Sequence, residues 1–360
     1  MDLRRGLLPE TDTLPRLPGL AEMLASDTAP GWDGWDWLEP SGADGAGGAA
    51  LVVLHDALWL PRAGLIVDSA GRPAFASAGQ VPPRIRLPGA TQTRDGWRVT
   101  ASGAARVDRA ALWMAGGAAR NYGHFLFDAL PGVCALDDAG ILAQVPATAP
   151  VLPDWARTVL KMAGVQVRER GEPVLRIGTL VYVTSMNAYL NRCGPLIRPA
   201  AARLRGTGAA GRGGAVYLSR RGYSGRILVE EAQIEAALSG RGVDVIRPEK
   251  LSPDQQRAQV AGRDVLIGPS GAALANMIFL PRGARVIEIR PEPVQEPWMD
   301  LACRALGLML TVVPGSGPLP RAQVPLAARV QQLPRWALRR YHYAYSADPG
   351  QVLAALDAAR

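Results

Sequence analysis

Histidine and cysteine are scarce in this chain: 360 residues hold three histidines, His55, His124 and His342, and three cysteines, Cys134, Cys193 and Cys303. So few imidazoles exclude a histidine-rich metal site. An odd number of widely separated thiols offers neither a disulfide framework nor a zinc cluster, and it fits a reducing compartment. The chain also has no Asp-x-Asp triplet, so the acidic pair that could hold a divalent cation against a phosphate is missing and no metal is expected. No apolar run reaches membrane-spanning length; even 49–60 is broken by His55 and Asp56. At the amino terminus the apolar run is too short for a secretion signal and soon meets acidic residues and prolines. A cytoplasmic protein is expected, with room for peripheral association at the inner membrane surface.

What is present describes a globular chain. Hydrophobic residues make up 48% and charged residues 20%, which excludes a disordered polyelectrolyte. The length allows two domains, each able to bury a core. A formal charge of +8 favours anionic ligands such as sugar nucleotides, phosphates, nucleic acid or an acidic membrane surface, and charge alone does not choose among them.

The most regular stretch is 213–291. Strands are expected at 215–219, 243–247, 264–268 and 285–289. Apolar residues Leu228, Ala232, Ile234, Ala237 and Leu238 have helical spacing and end at Gly240. Ser252-Pro253-Asp254-Gln255 reads as a capping box with proline at the first helical position. A third helix, 271–280, follows its strand at once. This alternation implies right-handed crossovers and a parallel sheet, with function at the carboxyl ends of the strands. A helix at 298–306 and a strand at 309–313 extend it.

The first half is less regular. Residues 50–60 and 64–76 alternate like a hairpin, 84–100 form a pair around Arg94-Asp95-Gly96, and 112–114 read as a buried strand. A helix opens near Asn121; 148–152, 155–163 and 178–184 continue an α/β pattern. The expected organisation is an irregular lead-in (1–48), an α/β domain (49–205), a glycine-rich basic linker, a second α/β domain (212–325), and a tail (326–360) whose last helix, opened by Asp348-Pro349, returns to the first domain.

Chemistry concentrates in three places. The turn Gly268-Pro269-Ser270-Gly271-Ala272 joins a strand to a helix, where backbone N–H groups and the helix dipole suit a phosphate; it reads equally as a tight packing turn. Ser219-Arg220-Arg221 ends a strand, and Arg226 lies in the following loop, so arginines on the same crevice would clamp a diphosphate without a metal. His124 and Asp128, four residues apart, would share a helix face as a general base and its orienting carboxylate. From the residues alone His124 is also readable as a core histidine bonded to backbone.

In this order the motifs resemble glycosyltransferase family 61: Asn121-Tyr122-Gly123-His124, Ser219-Arg220-Arg221, the segment 226–230, Pro248-Glu249-Lys250-Leu251-Ser252, the turn 268–276, 279–283 and Val286-Ile287-Glu288. Val229 stands where the family has asparagine, and Ser270 where it has histidine. The resemblance covers about 110–295. It implies a GT-B architecture of two Rossmann-like domains, and inverting, metal-independent transfer of a sugar from a nucleotide-sugar, usually a UDP-sugar, to a hydroxyl of a glycan or glycolipid, as in bacterial capsule or exopolysaccharide synthesis. It implies no cofactor and no nucleic acid partner. Carried over residue by residue, Arg220 and Arg226 would hold phosphate charge. Backbone donors would come from Ser270, Gly271 and Ala272. Pro248, Glu249 and Leu251 would border the nucleobase, Glu230 would orient Arg226 or reach the ribose, and Asn276 and Glu288 would either line the site or tie helix to strand. His124, or Asp128 in its place, would be the base. Two other readings stand beside this one: a serine hydrolase using Ser270, because Gly268–Ala272 nearly spells its nucleophile turn with His342 as the one histidine downstream, and a nucleotide-binding module without activity.

Overall fold

The computed structural model describes residues 51–67, 87–93, 96–114, 118–183, 196–206, 213–223, 225–294, 297–326 and 343–360. The expected lead-in, most of the linker and residues 327–342 of the tail, His342 among them, lie outside the described residues. The chain divides into two compact units, Met1–Leu204 and Arg205–Arg360.

In the first unit β1 (Leu51–Leu60) turns tightly into β2 (Leu65–Val67). The amides of Ala63 and Gly64 donate to the carbonyls of Leu60 and Pro61, and Gly64 takes the left-handed conformation such a turn needs. A connection this short can join only antiparallel strands. β3 (Ala90–Thr93) and β4 (Gly96–Val99) form the second expected hairpin. β5 (Ala105–Leu112) and β8 (Leu175–Val183) complete a sheet in the order β2-β1-β8-β5. Between them come β6 (Thr148–Pro150) and β7 (Arg168–Arg170), a small parallel pair, and helix α2 (Asp154–Met162), after helix α1 (Leu130–Asp138). β1 is antiparallel to both its neighbours, and only β5 and β8 run parallel. The sheet of the first unit is therefore mixed, and its antiparallel part follows from the hairpin expected at this place in the sequence. Alternation along the strands puts Trp59, Ile66, Leu112 and Tyr182 in one core cluster and Leu58, Leu60, Leu65, Val67 and Trp97 in another.

The second unit holds the regular alternation. Strands β9 (Ala215–Leu218), β11 (Asp244–Ile246), β12 (Val265–Pro269), β13 (Arg285–Pro291) and β14 (Met309–Gly315) form one parallel sheet in the order β11-β9-β12-β13-β14. Numbered within the unit this order is 2-1-3-4-5, and the direction of winding reverses between β9 and β12. β9 and β12 are buried at every residue, as strands covered on both faces must be. Helices α4 (Glu231–Ser239), α5 (Pro253–Val260) and α6 (Trp298–Leu306) connect them, following α3 (Ile197–Arg205). The capping box at Ser252 forms in both directions. The segment after β12 is a 3-10 helix, Ala272–Phe279, not an α-helix.

Two expectations about the ends of this unit are corrected. Leu228 does not start the first helix; with Ile227 it forms a short strand β10, parallel to β15 (Ala344–Tyr345). The last helix α7 (Pro349–Asp357), capped by Asp348 as expected, packs in its own unit rather than returning to the first domain. Val352 and Leu356 bury against Ile234, Leu238, Ile287 and Ile289. The sheet face they cover would otherwise be bare apolar surface, so burial holds the tail there. Arg241–Asp357 and the Arg285 bond to the Ala358 carbonyl fasten its end.

Candidate active site

Because ligands of open parallel sheets settle where winding reverses, the carboxyl ends of β9 and β12 are the place to look in the second unit. Ser219 is buried and extends the ladder, its amide bonding the Ile246 carbonyl, while its hydroxyl accepts from the Arg221 amide to start the turn. The Arg220 amide donates to Glu231 Oε1 at 2.6 Å, and the Tyr217 hydroxyl shares that oxygen. The Glu231 carboxylate is thus spent on holding the strand end, and the Arg220 guanidinium reaches across to β12. Its Nη1 donates to the Ser270 carbonyl at 2.8 Å and its Nη2 to the Gly225 carbonyl at 3.3 Å, while Nε is buried with no partner among the described residues. Tyr223 lies over it, ring centroid 5.4 Å from Cζ.

Gly271 makes this crossing feasible: a Cβ there would lie 1.5 Å from Arg220 Nη1 and 3.5 Å from Arg226 Nη2. Two guanidiniums therefore converge on one glycine. Burial, and next the charge of Arg226, hold Arg220 below the usual arginine value. Arg226 has φ 50°, one of two non-glycine residues with positive φ among those described. Such a conformation costs about 1–3 kcal/mol and persists only where the surroundings impose it. No carboxylate forms an ion pair with either guanidinium among the described residues. The arrangement is a partly buried cationic pocket that an anion would complete.

Other expected site residues are placed differently. The Ser270 amide is not an available donor, because residue 270 still follows β13 and bonds the Ile289 carbonyl at 3.0 Å. Its hydroxyl is buried, with the residue 1% exposed and no partner for Oγ among the described residues. A nucleophilic serine needs a base and an open approach, so the hydrolase reading fails. Gly271 and Ala272 stand at the start of the 3-10 helix, where amides lack intrahelical partners. Glu230 neither orients Arg226 nor points to a ribose: its oxygens accept from Ser346 Oγ and the Ala347 amide, clasping the tail. Asn276 is fully buried, its amide donating to Gln256 Oε1 and the Ala273 carbonyl. Glu288 is likewise internal, paired with Arg290.

Pro248–Lys250 form a 3-10 turn after β11. Gln256 Nε2 donates to the carbonyls of Pro248 and Leu251, both at 3.0 Å, and so pins this loop to α5 and, through Asn276, to the 3-10 helix. The loop reaches the crevice: after burial, the charge of Glu249 helps raise the Tyr223 phenol. Gln256 was not singled out from sequence, although its place just after the capping box puts it on the first turn of α5.

In the first unit Asn121 caps a short helix, Tyr122–His124, by accepting from the amides of Gly123 and His124. The chain then widens into a π turn, Phe125–Ala129, before α1. Pro131 explains the widening: it has no N–H for the Phe127 carbonyl, and its ring would collide with that oxygen in a regular helix. The Leu130 amide bonds Phe125 instead. Trp113, Phe125, Trp155 and Tyr122 pack edge to face around the segment, with centroids 5.3–5.9 Å apart.

His124 Nδ1 meets Asp128 Oδ2 at 2.5 Å, with the imidazole side chain 26% exposed and the carboxylate 4%. Burial raises Asp128 to about 6, opposed by its bond to His124 and that residue's charge. With Asp128 ionised, Nδ1 carries the proton and Nε2 presents its lone pair. The imidazole and the carboxylate meet, as the four-residue spacing implied. Among the described residues no group of three or more His, Cys, Asp or Glu side chains is placed to hold a metal ion, and no helix is long and apolar enough to cross a membrane.

Residues 122–287 match the family glycosyltransferase 61. The matched span is a glycosyltransferase family 61 domain, which supports a glycosyltransferase. No curated protein matches it. The family 61 span begins at Tyr122, two residues before His124, and contains Asp128, Arg220, Arg226, the 248–251 loop and Gly271. Transfer by this enzyme takes a donor and an acceptor substrate.

Proposed function

We propose that the chain is an inverting, metal-independent transferase that moves a sugar from a UDP-sugar to a hydroxyl of a glycan or glycolipid at the cytoplasmic membrane surface, as in capsule or exopolysaccharide synthesis. The second unit is the donor half of a GT-B enzyme and the first is the acceptor half. What carries this reading is the convergence of Arg220 and Arg226 on Gly271 with no carboxylate paired to either guanidinium among the described residues.

In the proposed reaction Nε2 of His124 takes the acceptor hydroxyl proton as its oxygen bonds the anomeric carbon from the face opposite the leaving group. The bond from that carbon to the diphosphate breaks, and its electron pair stays on the diphosphate. Arg220, Arg226 and the amides at Gly271 and Ala272 are oriented beforehand to receive that charge, and a preorganised donor of this kind is worth about 2.7–4 kcal/mol. Glu249, with Pro248 and Leu251, borders the nucleobase.

Calorimetric titration of the full chain with UDP tests the donor half. Binding is expected to survive EDTA and to weaken at least tenfold in Arg226→Ala; loss of binding on chelation overturns the metal-free account. The anomeric configuration of the product, read by NMR, tests inversion.

A further inference from the structure

The first unit contains a cavity of about 330 Å³ that is lined partly from outside the family 61 span. Its wall includes Arg62, Arg120, Arg170 and Glu172, with Pro61 and Val151 among the apolar residues. Arg62 and Arg120 precede the matched span, which starts at Tyr122.

Three observations give the cavity a chemistry. First, it is cationic. Arg170 is paired with Glu172 at 3.3 Å, whereas Arg62 and Arg120 have no ion pair among the described residues. Elsewhere in the same unit Arg157, Arg176 and Arg203 each hold a carboxylate. Three guanidiniums against one carboxylate leave a surplus of two positive charges on the wall. Second, the wall is stiff. Arg62 sits in the hydrogen-bonded hairpin turn between β1 and β2, and prolines 61, 88, 150 and 173 line the space with fixed φ. A site of such build loses little entropy on binding. Third, it adjoins the base. Arg120 closes the 3-10 turn Ala118–Arg120, and the next residue, Asn121, caps the helix that carries His124. Val151, 63% exposed at the wall, adds apolar surface, and apolar surface beside charge suits the faces of a sugar ring that bears an acidic group.

We propose that this cavity is an acceptor subsite for the anionic group of an acidic saccharide, with Arg62 and Arg120 as its binding cations. The anion is either a carboxylate on the sugar or a phosphate at its reducing end; both offer oxygens to a guanidinium fork. The proposal rests on the first unit being the acceptor half.

The test is ligand-observed NMR on the full chain without donor, using glucuronic acid, glucose 1-phosphate and neutral glucose as probes. One or both acids are expected to bind at least tenfold more tightly than glucose at low salt, with the preference shrinking as salt rises. The double variant Arg62→Ala/Arg120→Ala should lose that preference while its UDP affinity stays unchanged. Glucuronic acid alone showing the preference assigns the site to a uronate; glucose 1-phosphate alone assigns it to a phosphorylated or phosphate-linked acceptor. Equal binding of acids and glucose, or a preference that survives the double variant, overturns the proposal. Because UDP titration is measured on the same samples, failure of the donor reading shows separately as absent nucleotide binding. Arg62→Lys/Arg120→Lys, which keeps charge and removes the fork, should retain part of the preference and guards against misfolding of the alanine variant.

Discussion

At the residue scale, the His124–Asp128 pair sets a pH dependence whose sign differs between stability and activity. Asp128 is raised from 3.8 to about 6 by burial. Its contribution to stability is therefore fully present below 3.8 and is lost as pH rises through 6, because ionising the buried carboxyl costs more in the folded state. Transfer runs the other way, since only the ionised carboxylate fixes the proton on Nδ1 and leaves Nε2 as the base. Initial rates should climb as pH passes about 6. Asp128→Asn should flatten that limb and lower the rate, and His124→Ala should lower it by about 10²–10⁴ with UDP binding retained. A full rate in His124→Ala would remove it from the mechanism. Gly271→Ala should act on the second unit instead: a methyl 1.5 Å from Arg220 Nη1 must displace the guanidinium. UDP titration should show at least a tenfold loss of affinity, whereas Ser270→Ala, with an unpartnered hydroxyl, should change it little.

At the element scale, what the sequence made legible was local. Strands and helices of the second unit follow from the switch between two-residue and helical periods, and the capping box at Ser252 and the Asp348 cap stand within one residue of their sequence positions. Leu228 fits a helical apolar pattern equally well, and only a partner more than a hundred residues away, Ala344–Tyr345, makes it and Ile227 a strand. The same limit applies to the site. Arg220, Arg226 and the turn at Gly271 were readable because strand ends in a parallel sheet face one crevice. Glu230 was misread, and Asn276 was left between two roles, because their partners, Ser346 and Gln256, are set by packing rather than spacing. Gln256 is the element-scale tie: Gln256→Leu removes the side-chain acceptor of the Asn276 amide and frees the carbonyls of Pro248 and Leu251. A stability loss of about 1–3 kcal/mol is expected in chemical denaturation, together with weaker UDP binding. Ser252→Ala, which removes only the cap of the same helix, should cost about 1 kcal/mol and leave affinity intact. Equal affinity losses in the two variants would show that the loop is not positioned by Gln256.

At the scale of the whole molecule, the tail decides which unit depends on the last residues of the chain. α7 closes one face of the five-stranded parallel sheet through Val352 and Leu356, β15 pairs with β10 directly after Arg226, and Glu230 clasps Ser346 and Ala347. The strained loop at Arg226 is thus held from the carboxyl side by the tail. Leu356→Ala opens a cavity under α7 and should cost about 2–5 kcal/mol, at about 2–4 °C of Tm per kcal/mol for a unit of this size. Hydrogen exchange should quicken in β9, β12 and β13 and at 225–230, and UDP affinity should fall with it, while protection in β1 and β8 stays as it was. The opposite pattern, with β8 exposed to exchange and nucleotide binding untouched, would mean that the tail serves the first unit. Glu230→Gln separates clasp from core: it weakens the bonds to Ser346 and Ala347 without making a cavity, so it should quicken exchange at 343–347 and loosen UDP binding with little change in Tm.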